Sequence, residues 1–216
     1  MDKKYTEETY YLNFTDKVFQ EIFQKAIAGC NSDKERLKQW YLYVRDNLIY
    51  DPYTLYLTKE KYRASDIVTR KSGHCIDKSI LFISGLRALN IPSSIHLAKV
   101  KNHISAERII EKIGTDELSP HGYAGVYFEG KWTKASPIFD SNLCQYLNVD
   151  TLEYDGTEDS IFQEFNKEGA QFMEYLEDYG EYADVPFENI KEILAREYPD
   201  TAAPVSYTHL TLPTKA

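Results

Sequence analysis

From Cys75 to Leu89 the apolar residues Ile76, Ile80, Leu81, Ile83, Leu86 and Leu89 fall on every side of a helix rather than along one stripe. A helix that is apolar all round is stable only when other elements surround it. The rest of the chain must therefore wrap this segment. Ser72-Gly73 opens it and Asn90-Ile91-Pro92 ends it.

The flanking segments supply one-sided elements. Val18, Phe19, Ile22, Phe23, Ala26 and Ile27 make a helical stripe within residues 16–28, ending at Gly29. Ser32 with Glu35 has the spacing of a capping box, and the helix that follows buries Leu37, Trp40, Tyr41, Val44 and Leu48. It stops before Asp51-Pro52, because proline disfavours helix in the residue ahead of it. Residues 53–70 are expected to form short helical turns, 94–100 a strand, and 105–113 a short surface helix closed by Gly114. Two strand-like runs, 121–128 and 131–136, meet at Glu129-Gly130, an acid-glycine pair typical of hairpin turns. Beyond Pro137 the pattern predicts helices over 166–179 and 187–198, the second opened by Pro186. Helices, one strand and then a hairpin imply an α+β fold in which the central helix packs on a small antiparallel sheet.

Charge narrows the function classes. Of the 216 residues, 1–149 hold 21 lysines and arginines against 18 acids, whereas 150–200 hold 3 against 16. An acidic surface repels phosphate backbones, so no nucleic acid partner is expected. The acidic third reads either as a solvated helical face extending the core or as a lid favouring basic peptides or amines. No run of about 18 apolar residues is present, so no membrane partner is expected. Met1-Asp2-Lys3-Lys4-Tyr5 has no apolar stretch behind it, which predicts no secretory leader and a cytoplasmic location. Cys30, Cys75 and Cys144 form no Cys-x-x-Cys pair, consistent with free thiols and no metal or other cofactor. Residues 205–214, Val-Ser-Tyr-Thr-His-Leu-Thr-Leu-Pro-Thr, resemble a translated sequencing adapter, so 205–216 are treated as a non-native tail. The expected organisation is one domain over 1–204, with a core of about 30–150 and an acidic extension over 151–204.

Cys75 carries the chemistry. It lies where a glycine-containing loop meets the first turn of the central helix, whose free N–H groups favour a thiolate and suit an oxyanion. Gly73 would let the backbone pass close to a substrate. The alternative is that Cys75 is one more buried small apolar residue. A thiol nucleophile needs a base. His121, directly after Pro120, opens the first hairpin strand, where a ring projects from a sheet edge. His74 adjoins Cys75, but neighbouring side chains at a helix start diverge, making it the poorer base. His96 lies within a strand and His103 in a polar loop, and both read as structural or surface residues.

A family resemblance rests on three segments. Gly73-His74-Cys75-Ile76-Asp77, running on to Arg87-Ala88-Leu89-Asn90-Ile91-Pro92, resembles the nucleophile segment of the transglutaminase-like superfamily. His121-Gly122-Tyr123, continuing to Gly130-Lys131-Trp132, is similar to its histidine hairpin, and Tyr43-Val44-Arg45-Asp46-Asn47-Leu48 to the helix before the nucleophile. The chain is thereby identified as a bacterial-type transglutaminase-like domain protein over about residues 40–140. The resemblance implies a papain-like core, with Cys75 as nucleophile and His121 as general base and acid. Its third member, an Asp-Pro four residues after the tryptophan, is Ser136-Pro137 here. A serine holds an imidazole but does not stabilise imidazolium as a carboxylate does. Asp140 would take the role only if the chain folds back; otherwise it caps a turn or helix before Ser141-Asn142. Tyr50, Tyr53 and Tyr56 either line an acyl-binding groove or are ordinary half-buried residues.

Two functions are carried forward. In one, Cys75 and His121 transfer or hydrolyse acyl groups at amide bonds of a peptide or protein substrate. In the other, the fold is a weakened or inactive domain that binds peptides. A metal hydrolase using His74, His96 and His121 ranks last, because no His-Glu-x-x-His spacing exists.

Overall fold

The computed structural model describes residues 2–53, 55–103, 110–111 and 114–199. The first helix, α1 (Lys17–Ala26), is capped by Asp16, whose carboxylate accepts from the Val18 N–H at 2.9 Å. In α2 (Asp33–Asn47), the Ser32 hydroxyl accepts from Glu35 N. The Glu35 carboxylate reaches one residue further back than a capping box requires, to Asn31 N at 2.6 Å. Phe19 and Phe23 on α1 meet the Trp40 ring of α2 edge-on at 5.8 and 4.9 Å. Val18, expected on the same stripe, is exposed.

The helix α4 (Cys75–Ala88) is buried from Cys75 through Arg87. Gly85 lets it take the Trp40 ring against its backbone, since a Cβ there would lie 2.0 Å from the indole nitrogen. That nitrogen donates to the Phe82 carbonyl at 3.1 Å. Two charged residues within α4 are anchored by backbone carbonyls. Lys78 donates to Arg45 O at 2.9 Å and to Leu48 O, closing the C-terminal end of α2. Arg87 donates to Glu7 O and Ser93 O, both at 2.8 Å, and to Ala183 O.

On its other side α4 lies on a four-stranded antiparallel sheet of β3 (Ser93–Asn102), β4 (Glu117–Phe128), β5 (Lys131–Ala135) and β6 (Met173–Tyr182). Their order is β5-β4-β3-β6. The β4–β5 hairpin turns at Glu129 and Gly130, with φ of +48° and +90°, the left-handed pair a two-residue turn demands. The register of β3 with β4 runs from Ser93↔Val126 to Lys101↔Glu117 and shifts between Ala98 and Val100.

Two short strands escape the sequence pattern. β1 (Ile49–Tyr50) pairs in parallel with β2 (Ser72–Gly73), directly before Cys75. Between them lie a 3-10 turn at Lys59–Tyr62 and the single-turn helix α3 (Ala64–Ile67), the short helical turns expected there. The surface helix expected over 105–113 lies outside the described residues except for Ile110 and Glu111, which are helical.

The expected helix over 166–179 is corrected. Residues 166–169 turn, with the Asn166 side chain accepting from Glu168 N and Ala170 N, and residues from Met173 form β6. Gly169 and Gly180, at φ of +83° and +101°, bracket the segment with backbone that a helix does not accommodate. Pairing with the open edge of β3, from Ile95↔Tyr182 to Asn102↔Met173, overrides local helical spacing. Ser141–Tyr146 forms α5, and the expected C-terminal helix is α6 (Phe187–Glu197). Among the described residues no helix is long and apolar enough to cross a membrane.

Candidate active site

The parallel β1–β2 pair sets the loop that leads into α4. Asp51 N donates to Gly73 O, and a Cβ on Gly73 would meet Leu48 Cδ2 at 2.9 Å and Asp77 Cβ at 3.1 Å. Gly73 is thus required by packing inside the protein. His74 is the N-cap of α4, and its backbone N–H donates to the Asp77 carboxylate at 3.0 Å. Asp77 is buried and lies 3.3 Å from Arg70 Nη1. Burial raises its pKa to about 6 against the pull of Arg70.

Gly122 brings β4 onto the first turn of α4. A Cβ there would lie 3.1 Å from Ile76 Cα, so any larger residue would hold strand and helix apart. The close approach puts Gly122 N 3.5 Å and Pro120 O 3.9 Å from Cys75 Sγ. The nearest side-chain partner of the sulfur is His74, with Nδ1 at 3.3 Å and Nε2 at 3.7 Å. The neighbouring side chains at this helix start converge, contrary to the expected divergence.

His121 lies within β4, opposite Ala98 of β3 and beyond Ala124, where pairing with β5 ends, so β4 is paired with β3 and not with β5 at this position, as the expected sheet edge requires. Its Nδ1 is buried without a hydrogen-bond partner, and among the described residues no hydrogen bond joins the ring to Cys75. Neither position weighed for the third member is hydrogen-bonded to that Nδ1. Ser136 donates its N–H to Ser160 O at 2.8 Å, and its carbonyl accepts from the Tyr41 hydroxyl. Both carboxylate oxygens of Asp140 are engaged: Oδ1 accepts from Leu143 N, capping α5, and Oδ2 accepts from Tyr50 N. Asp140 therefore ties α5 to β1 in this structure.

Burial governs the protonation of the cluster. Cys75 is 1% exposed, His121 3% and His74 9%. The thiol is pushed up to about 12 by burial, although the N–H groups of Gly122 and Ile76 pull it down. The helix-start effect read from the sequence acts in the expected direction and is outweighed. Burial brings His121 down to about 3, with the charge of His74 acting the same way, and brings His74 down to about 4 against the pull of Asp51. In this structure the sulfur is a thiol and both rings are neutral near pH 7.

Among the described residues, Tyr50, Tyr62, Tyr175 and Tyr198 lie near enough to Cys75 that ionisation of the thiol would push their own hydroxyls up further. Of the tyrosines singled out in the sequence, Tyr50 packs edge-on against Phe139 at 5.2 Å, and Tyr56 lies beneath the Arg70 guanidinium at 4.4 Å. His96 stacks on Tyr123, with ring centroids 4.8 Å apart. Among the described residues, His74, His96 and His121 join no group of three His, Cys, Asp or Glu side chains arranged to hold a metal ion. The approach of His74 and the Arg70–Asp77 pair were not read from the sequence. The spacing of an acid three residues after an N-cap was the available signal.

A family model described as the Transglutaminase-like superfamily matches residues 20–137. The chain belongs to the transglutaminase-like superfamily. Its α+β architecture, with the central helix on an antiparallel sheet, is that expected of this superfamily. No curated protein matches the chain. Among solved structures, a putative cysteine protease from Cytophaga hutchinsonii is 20% identical, with a TM-score of 0.45, covering 62% of this chain and 40% of its own. A protease, so described with the same reserve, from Parabacteroides distasonis ATCC 8503 is 19% identical with a TM-score of 0.38, covering 56% of this chain and 23% of its own. A structure described as a TGase is 19% identical with a TM-score of 0.37, covering 61% and 33%. The chain thus spans less than half the length of each of these proteins.

Proposed function

We propose that this transglutaminase-like protein is a thiol enzyme that transfers or hydrolyses acyl groups at amide bonds of peptides or proteins. The observation that carries the reading is the seat of Cys75: first residue of a buried helix, with its sulfur beside the Gly122 N–H and an imidazole. Cys75 attacks the amide carbonyl, and the N–H groups of the first turn of α4 face the developing oxyanion. An imidazole takes the thiol proton and returns it to the leaving amine. His121 is that imidazole by family correspondence, and His74 is the ring nearest the sulfur. Water or an acceptor amine resolves the acyl-enzyme. We place the reaction in the cytoplasm, with no nucleic acid or membrane partner.

The test is release of amine or ammonia from a panel of peptide amides and glutamine-containing peptides. Turnover by the wild type and a loss of at least 100-fold in Cys75→Ala is the expected result. Peptide binding that is equal in both proteins, with turnover in neither, would sink the enzyme reading. It would establish a binding domain instead, an alternative favoured by the missing aspartate at Ser136 and the unpartnered Nδ1 of His121.

A further inference from the structure

We infer that the edge of β4 at Glu117 and Ser119, beyond the end of β5, is a main-chain subsite for an extended peptide substrate, and that the Tyr198 hydroxyl holds that place in this structure. This rests on the thiol-enzyme reading and adds to it where the peptide lies. Pairing of β4 with β5 ends at Ala124↔Ala135, while pairing with β3 continues to Glu117. On the β3 side, Asn102 N donates to Asp116 O at 3.1 Å. Main-chain groups alternate in direction along a strand, so Glu117 O and Ser119 N point to the opposite edge.

Two side chains stand where a further strand would pair. The Tyr198 hydroxyl accepts from Ser119 N at 2.8 Å and donates to Glu117 O at 3.0 Å. Further along β4, Gly122 N lies 3.5 Å and Pro120 O 3.9 Å from Cys75 Sγ. A strand edge with a free N–H and C=O is a template for an incoming strand. One hydroxyl here accepts and donates, as the C=O and N–H of an added main chain would. Leu118, between Glu117 and Ser119, is three residues from His121, roughly 10 Å of strand. A peptide paired at Glu117 and Ser119 therefore brings a carbonyl about two to four residues away to the sulfur.

Tyr198 belongs to the segment after α6 and not to the sheet, so its withdrawal leaves the β3–β4 pairing intact. Its neighbour Glu197 is held by Lys99, whose Nζ lies 2.5 Å from Glu197 Oε2 and 3.3 Å from Glu117 Oε2. The Ser119 side chain has its own partner, the Tyr179 hydroxyl at 2.9 Å, and keeps it when Tyr198 leaves. What Tyr198 gives up is the main-chain pair. Ser119 is buried, so leaving its N–H without a partner is costly, and an incoming strand restores both bonds. The exchange is one of hydrogen bonds and adds no covalent step.

The experiment labels Cys75 on the full chain with an acetylated oligo-alanyl chloromethyl ketone and with its isomers, each N-methylated at one residue. Iodoacetamide is the reagent that carries no peptide, and rates are read by site-resolved mass spectrometry in the wild type and in Tyr198→Phe. The expected result is that methylation at one position, about two to four residues from the ketone, slows labelling by about fivefold to tenfold, the worth of one main-chain hydrogen bond. Tyr198→Phe should speed the unmethylated peptide reagent about tenfold more than it speeds iodoacetamide, because it frees the edge as well as the approach. A methyl scan that is flat in both proteins overturns the subsite and leaves the thiol-enzyme reading intact; the wild-type scan is read whatever the stability of the variant. Equal acceleration of both reagents overturns the role given to Tyr198. A Cys75 that no reagent labels faster than Cys30 in either protein overturns the enzyme reading and the subsite with it.

Discussion

Cys75, His74 and His121 occupy positions where the charged form is disfavoured, and this makes folding stability depend on pH in a definite direction. An unfolded histidine titrates near pH 6.5, whereas in the fold His74 is held at about 4 and His121 at about 3. Between those limits the unfolded chain binds the extra protons, so stability is complete above about pH 6.5 and is lost as pH falls. Asp77 works the other way: held at about 6 when folded, it stabilises at low pH and loses that contribution as pH rises through 6. Two histidines oppose one carboxyl, so the melting temperature should fall between pH 6.5 and 4.5. His121→Asn should flatten that slope, and a slope unchanged in this variant would show that His121 is solvated. The sequence named Cys75 and His121, because residue type and position at a helix start or after a proline are local. It misjudged His74, because whether an N-cap ring turns toward or away from the next side chain is a rotamer choice that residue type and spacing do not fix.

At the level of elements, two glycines set the spacing on either side of α4. Gly85→Ala would drive a methyl group into the buried Trp40 ring at 2.0 Å, and Gly122→Ala would press on the Ile76 backbone at 3.1 Å. Overpacking of this kind costs about 1–3 kcal/mol. Gly85→Ala should sit at or above the upper end, with altered Trp40 fluorescence. Gly122→Ala should cost less stability yet change the reactivity of Cys75 as the sulfur parts from Gly122 N. Denaturant unfolding and alkylation of the two variants check this, and equal effects on both readouts would refute the division. The elements legible in sequence were those with strong local signals: α4 by its all-round apolarity, the hairpin by Glu129-Gly130, and α5 by the capping option for Asp140. The β1–β2 pair was not legible, since two residues in each strand show no periodicity. Nor was β6, whose identity comes from the edge of β3.

Across the whole molecule the acidic C-terminal part is fastened to the more basic N-terminal part. Glu153 pairs with Arg45 at 2.7 Å, and Asp155 with Lys34 at 3.1 Å. The chain after α6 also reaches β4: the Tyr198 hydroxyl accepts from Ser119 N at 2.8 Å and donates to Glu117 O at 3.0 Å. Ser119 adjoins Pro120, whose carbonyl faces the sulfur. Tyr198→Phe removes both bonds and leaves the Ser119 N–H unsatisfied, at a cost of about 1–3 kcal/mol. The expected outcome is severalfold faster alkylation of Cys75 at pH 8 with a small fall in melting temperature. An unchanged rate would mean that this contact does not restrain access to the sulfur.

The adjacency of His74 and Cys75 has a further consequence for assembly. Bringing His121 to the sulfur requires closing a loop of 46 residues and docking the sheet, an entropic cost borne before the contact exists. His74 needs only the first turn of α4. A partly folded chain that keeps this turn keeps the sulfur–imidazole contact, so the pairing forms early in folding and survives local opening of the sheet.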